Sequence, residues 1–238
     1  MINKDITFII PAAGKSSRFE SNKSKIFYKF NKKPLILHIV DKCLKFSNNI
    51  IIIINKKNIK PLKVILSKYK KKITYVYQNQ AKGMGHAISL GLRRSKTLCT
   101  SVIWSDQIFL SIKTISKTIV YFKKNNSLLC FPVFKKKTPY VYILRDINNC
   151  FRNIIQTREG GKPVGIGESD CGFFIFKTRI IKNLLQDLIR QKKILTKKTK
   201  EIDFLKAFKF FKKNGRIDTV KALSIKDTIG INTIGDFI

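Results

Sequence analysis

The chain has 238 residues, which suits one large α/β domain with a proper core and argues against a second independent domain. Its formal net charge of +35, from 49 Lys and Arg against 14 Asp and Glu, would ordinarily point to nucleic acid or an anionic membrane. The basic residues are mostly lysines spread along the whole chain among Ile, Asn and Phe, as A/T-rich codons would give, so no specific nucleic-acid partner is expected.

Ile6–Ile10 reads as a buried strand that runs into IIPAAGKSSRF (9–19). Two readings of that loop stand side by side: an ordinary strand exit, or a turn whose backbone amides approach an anion, with Lys15 and Arg18 supplying positive charge. Pro34 opens a helix whose apolar positions Leu35, Ile36, Ile39, Val40, Cys43 and Leu44 share one face. The β-branched run Ile50–Ile54 suits a parallel strand covered on both sides. A helix (Pro61–Tyr69), a strand (Ile73–Gln78), a helix (His86–Arg94) and a strand (Val102–Trp104) follow, the order of a doubly wound sheet. In such sheets ligands gather at the carboxyl ends of the strands, where the loops after Ile10, Gln78 and Trp104 would converge.

QNQAKGMGHAISLGL (78–92) places two glycines around Met84, either a plain turn or a close backbone approach to a ligand. Asp106, just past the strand in VIWSDQIFL, is placed equally well to cap a helix or to hold Mg²⁺. The second half predicts short strands at Leu128–Val133, Tyr140–Leu144, Asn153–Thr157 and Gly172–Phe176, helices at Arg179–Gln191 and Ile202–Lys213, and a strand at Arg216–Val220. These form a mixed extension of the sheet and the other wall of a cleft, giving a single domain (1–238) with a first half (about 1–110) and a second half (about 111–238). Five scattered cysteines without a C-x-x-C pair, and only two histidines, exclude a zinc cluster or a disulfide framework and fit a reducing cytoplasm. No apolar run reaches membrane-spanning length, so no membrane partner is expected, and no hexapeptide repeat of a β-helix is visible.

Five segments in register resemble one family, the sugar-phosphate nucleotidylyltransferases. IIPAAGKSSRF followed by KSKIFYKFNKKPLILHIVD resembles the family's opening A-A-G-x-x-[ST]-R-[MF], lysine and G-K-P-L signature. QNQAKGMGHA is similar to its nucleotide loop, VIWSDQ to its strand ending in a metal-binding aspartate, and IIQTREGG, ESDCGFFIF and EIDFLKAF to its sugar-side segments. IGINT matches the final G-x-N. The likeness is to the uridylyltransferase domain that makes UDP-N-acetylglucosamine, and to related small cytidylyltransferases; the acetyltransferase β-helix of the bifunctional relatives is not expected.

That resemblance implies a Rossmann-like, GT-A-type nucleotidyltransferase fold with a mostly parallel mixed sheet flanked by helices. It implies a Mg²⁺-dependent, cytoplasmic enzyme that joins an NTP, UTP or CTP, to a sugar 1-phosphate or similar phosphorylated metabolite and releases pyrophosphate. Arg18 and Lys25 would be catalytic, with Lys23 as the rival of Lys25 because Ser24 stands where a proline usually precedes the lysine. Ala13, Gly14, Lys15, Gln78 and Gly83 would bind the nucleotide, Asp106 and Asn232 the metal, and Arg158, Asp170 and Gly172 the acceptor. Departures at Met84, Ala81, Gln156 and Asp170–Cys171 leave the base and the amino sugar open. A cytidylyltransferase acting on an alditol phosphate, a methylerythritol phosphate or a phosphorylated amino-acid derivative is the alternative; a polyanion binder with a vestigial site is another, against which Lys25 and Asp106 argue.

Overall fold

A computed structural model of the chain describes residues 4–14, 24–162, 164–231 and 233. Its first half runs β1 (Ile6–Pro11), a small hairpin of β2 (Lys29–Phe30) and β3 (Lys33–Pro34), α1 (Leu35–Cys43), β4 (Asn49–Ile54), α2 (Ile59–Ile65), β5 (Ile73–Tyr77), α3 (Met84–Arg94) and β6 (Cys99–Ile103). The second half adds α4 (Ile112–Lys124), β7 (Leu129–Lys137), β8 (Val141–Arg145), β9 (Phe151–Gln156), β10 (Ile166–Asp170), β11 (Phe173–Lys177), α5 (Thr178–Arg190), the one-turn α6 (Phe208–Phe211) and β12 (Ile217–Lys221).

The central strands are apolar on both faces, which only a sheet covered on both sides can hide. In β4, Ile50, Ile52 and Ile54 enter one core while Ile51 and Ile53 enter the other. In β11, Phe173 and Ile175 alternate with Phe174 and Phe176 in the same way. Helices α1, α2 and α4 cover the first face, and α3, α5 and α6 the second. The second core is aromatic: Phe174 packs against Phe131, Phe204 and Phe208 at ring separations of 5.6, 5.8 and 5.4 Å.

The sheet order is β10-β7-β11-β6-β1-β4-β5, with β12 also paired to β7. β1, β4, β5 and β6 run parallel, so the loops after them open on one rim, as the alternating pattern predicts. β11 pairs antiparallel with β6, Phe173 opposite Ile103, so the start of β11 meets the same rim. β10 and β11 both pair antiparallel with β7 and are joined only by Cys171 and Gly172. The corner there needs a left-handed residue, and Gly172 supplies it at φ +64°. A Cβ at Gly172 would lie 2.6 Å from Trp104 and Gln107, so a glycine is also what lets the corner sit against the β6 loop.

The structure adds two elements that the sequence reading lacked and corrects one expectation. Residues 112–124 form a helix that the sequence did not announce, capped by Ser111, whose Oγ accepts from the Thr114 amide. The polar stretch 166–170 is a strand, ordered by its pairing with β7. The expected helix over 202–213 is broken into 3-10 turns around α6, because Asp203 takes the amides of Leu205 and Lys206 and caps a short turn instead. Among the described residues no helix is long and apolar enough to cross a membrane.

Candidate active site

Beyond β1, the Ala12 amide donates to the Ile53 carbonyl (2.8 Å) and ties the A-A-G turn to β4. Ala13 is buried against the second core. Gly14 is exposed, and a Cβ there would meet nothing within 4 Å, so the space beside this turn is open. Lys15, Arg18, Lys23 and Asn232 lie outside the described residues.

Lys25 and Asp106, 81 positions apart, form an ion pair between Nζ and Oδ2, both side chains largely buried. Lys25 Nζ also lies 3.5 Å from the Ile231 carbonyl, and the Ile231 amide donates to the Asp106 carbonyl (3.0 Å). The residue preceding Asn232 is thereby fixed on Asp106. Asp106 caps no helix, since Ser111 performs that role for α4. Its Oδ1 is buried and accepts no hydrogen bond among the described residues, and Gly230 packs close beside it: a Cβ there would lie 3.5 Å from that oxygen and 3.0 Å from Gln107 Nε2. A bare carboxylate oxygen is a fitting donor for a hard cation, but among the described residues no group of three or more His, Cys, Asp or Glu could hold a metal by itself. Any such ion would need further oxygens from a substrate phosphate or from Asn232.

The loop that carries Asp106 is anchored by a residue sequence reasoning missed. Lys42 of α1 donates to the carbonyls of Ile108 and Leu110, and burial pushes its ammonium down to about 8. A lysine on the polar side of an amphipathic helix carries no sign of this task.

Gln78 is buried, and its amide nitrogen donates to the Gly83 carbonyl (3.2 Å) and contacts His86 Nδ1 (3.0 Å). Burial, then Lys82 and Arg93, lowers the His86 pKa, so the ring is held neutral and able to accept. Gly83 and Gly85 serve a purpose that the sequence did not reveal. A Cβ at either would come within 3 Å of the 201–202 backbone or side chains, and the Gly85 amide donates to the Ile202 carbonyl (2.8 Å) while Ile202 donates to Lys82 (2.9 Å). The loop after β5 is thus clamped to a segment 120 residues later in the chain, for Ile202 follows Lys82 by that many positions.

Beside Asp106 lies a cavity of about 500 Å³, walled by Trp104, Met84, Tyr140, Gln156, Lys136 and Phe204 among others. The β8–β9 hairpin forms its far wall, held on the second core by Phe151 against Phe131 (5.9 Å). Arg158 and Asp170 both line it; Gly172 does not, and serves the corner instead. Arg158 lies 3.5 Å from Glu201. Burial raises the Asp170 pKa against the opposing donation from the Gly172 amide (2.7 Å) and the charge of Lys136; the charge of Asp106 raises it further. Glu159, Glu201 and Asp203 also line the cavity; IIQTREGG and EIDFLKAF, which carry them, resemble sugar-side segments, but the sequence reading names none of the three as a site residue.

The family model described as a MobA-like NTP transferase domain matches residues 8–188. The bifunctional protein GlmU of Buchnera aphidicola subsp. Acyrthosiphon pisum (strain Tuc7) is 26% identical over 237 residues, covering 98% of this chain and 50% of that protein. The chain therefore spans about half the length of that curated relative. A UDP-glucose pyrophosphorylase solved with UDP-glucose shares the fold, with a TM-score of 0.74 at 18% identity over 100% of this chain and 96% of that one. So does the 4-diphosphocytidyl-2C-methyl-D-erythritol synthase of Anaerococcus prevotii, with a TM-score of 0.69 at 20% identity over 98% and 95%.

Proposed function

Because this chain belongs to the MobA-like NTP transferase family, we propose that it joins a pyrimidine NTP, UTP or CTP, to a small phosphorylated metabolite such as a sugar 1-phosphate. Support for the donor and acceptor classes comes from neighbours of the same fold named for uridine and cytidine diphosphate products. The five free cysteines fit work in the cytoplasm. The observation that carries the proposal is the Lys25–Asp106 pair, seated on the rim where the A-A-G turn also opens, with a 500 Å³ cavity beside it.

In this reaction an oxygen of the acceptor phosphate forms a bond to the α-phosphorus, the bond from that phosphorus to the bridging oxygen breaks, and pyrophosphate leaves with the electron pair. A phosphomonoester has its second pKa near about 6, so the nucleophile is already charged at neutral pH and needs no general base. The protein's task is to overcome repulsion between two anions and to hold them in line. Lys25 brings an ammonium to the point where both phosphates would meet, and the open turn at Ala13–Gly14 offers backbone amides to the triphosphate. Arg18 and Lys15 would add charge along it. Asp106 and Asn232 would hold Mg²⁺, which when bound supplies positive charge to the triphosphate oxygens. Gln78 and Gly83, fixed to each other, would present the loop edge to the base.

The test is pyrophosphate release from the purified chain with Mg²⁺, each of the four NTPs and a panel of phosphorylated metabolites. Asp106→Ala and Lys25→Ala should each cut turnover by about 100-fold or more while leaving the unfolding midpoint close to that of the parent. Full activity in Asp106→Ala would sink the metal assignment.

A further inference from the structure

Of the 14 acidic residues in this strongly basic chain, five line the one cavity beside Asp106: Asp106 itself, Glu159, Asp170, Glu201 and Asp203. Three of them face a cation. Lys25 takes Asp106, Arg158 takes Glu201, and the charge of Lys136 acts on Asp170. Glu159 and Asp203 make no ion pair among the described residues. Glu159 Oε1 accepts from the Thr199 hydroxyl (2.9 Å), while Asp203 accepts from the Gln156 amide and from the amides of Leu205 (2.8 Å) and Lys206 (3.2 Å). Burial raises the Asp203 pKa, the donations from Gln156, Lys206 and Leu205 lower it, and the charge of Glu159 raises it, so the two carboxylates repel each other.

Two further observations concern what such a place would take. Gln107 lines the same cavity, is only 8% exposed, and its Oε1 is buried without a hydrogen-bond partner, so an acceptor atom there lacks a donor. Trp104 and Tyr140 supply aromatic surface to the walls, with Phe204 buried behind them. Carboxylates without cations, an unfilled acceptor oxygen and aromatic rings together favour one kind of guest, a cation with N–H or alkyl groups around it.

We propose that the acceptor of this enzyme is a phosphomonoester whose far end is an ammonium group, held between Glu159 and Asp203. This rests on the nucleotidyl-transfer function proposed above and narrows its acceptor class. The ammonium takes no part in bond making; the phosphate end lies toward Lys25 and Asp106, and the positive end reaches the two unpaired carboxylates. Fixing both ends would set the attacking oxygen in line with the nucleotide.

Matched acceptors test it: 2-aminoethyl phosphate against 2-hydroxyethyl phosphate, and glucosamine 1-phosphate against glucose 1-phosphate, each with all four NTPs and Mg²⁺. The ammonium member of at least one pair should exceed its neutral partner about tenfold or more in kcat/KM. Asp203→Asn and Glu159→Gln should each pull that ratio toward one. A ratio compares two substrates on the same molecules, so a loss of folded protein cancels. Turnover with neutral acceptors equal to or better than their ammonium partners overturns the proposal and leaves nucleotidyl transfer standing. A preference that survives both substitutions overturns it as well. No pyrophosphate from any combination overturns the transferase function and this inference with it.

Discussion

Asp170 sits where a charge is costly. Burial is the largest influence on its carboxyl and raises the pKa, with the charge of Asp106 adding to it. A carboxyl whose folded pKa is raised contributes its stability below the unfolded value and loses it as pH rises through the folded value. At neutral pH the folded protein therefore carries a cost at this position that an uncharged amide would not. Asp170→Asn keeps an oxygen to accept from the Gly172 amide, so its melting temperature at pH 7 should equal or exceed that of the parent. The gap should close as pH falls and the parent carboxyl takes its proton. Thermal unfolding of both proteins across that range checks the sign, and a parent that is more stable than the variant at pH 7 would refute the account. On the proposed function, activity should fall in the variant all the same, since Asp170 lines the cavity beside Asp106. Such retained cost is expected where a residue serves binding rather than folding.

Between residue and domain, the segment after β12 shows how an element places a catalytic group it does not contain. Asp227, 1% exposed, accepts from the Ser111 amide (2.7 Å), the Thr114 hydroxyl (2.6 Å) and the amides of Leu223 (3.2 Å) and Ser224 (3.3 Å). These bonds pin a short 3-10 turn (Ile225–Thr228) to the start of α4, and the chain then delivers Gly230 and Ile231 onto Asp106. Asp227→Ala strands several buried donors at once and should lower stability by about 2 kcal/mol or more. Turnover should fall too, although Asp227 touches no substrate. Chemical denaturation and a pyrophosphate assay on the same preparation separate the two effects.

The same element explains what the sequence could and could not reveal. The strands of the first half were legible because Ile50–Ile54 has no polar face. Helix α4 was not, since Ile112, Val120 and Tyr121 are exposed on its outer side while Thr114 and Thr118 are buried on its inner one, which blurs the apolar period. Strand β10 has one apolar side chain, the exposed Ile166, and owes its order to β7. At the site, Asp106 was placed past a strand end as either cap or ligand, Lys25 was reached only through the family resemblance, and the structure brings the two together. Glu159, Asp203 and Lys42 were not, because each gains its meaning from a partner far away in sequence: Thr199, Gln156 and the carbonyls of Ile108 and Leu110.

For the molecule as a whole, the net charge of +35 and the acidic cavity work on different length scales. On the proposed function, the summed field would draw a triphosphate toward the surface from a distance, while the cavity would decide what fits beside it. Salt separates the two. Between about 0.01 M and 1 M the Debye length shrinks from about 30 Å to about 3 Å, so long-range attraction is lost while contacts within the cavity persist. The kcat/KM for the NTP should therefore fall steeply over that range, whereas kcat at saturating NTP should change little. Steady-state kinetics at graded ionic strength measures both, and a flat kcat/KM would show that the lysines do no steering.

The clamp of Gly83 and Gly85 onto Ile202 ties the fates of two walls together across evolution. A lineage that rebuilds the 201–203 wall cannot keep the 78–86 loop unchanged unless it preserves this backbone contact, because no side chain fits at Gly83 or Gly85. Chimeras that exchange the 201–203 wall with a relative should thus fold and turn over only when the 78–86 loop is inherited with it. On the proposed function, base choice and acceptor choice would then diverge as one unit rather than by separate drift.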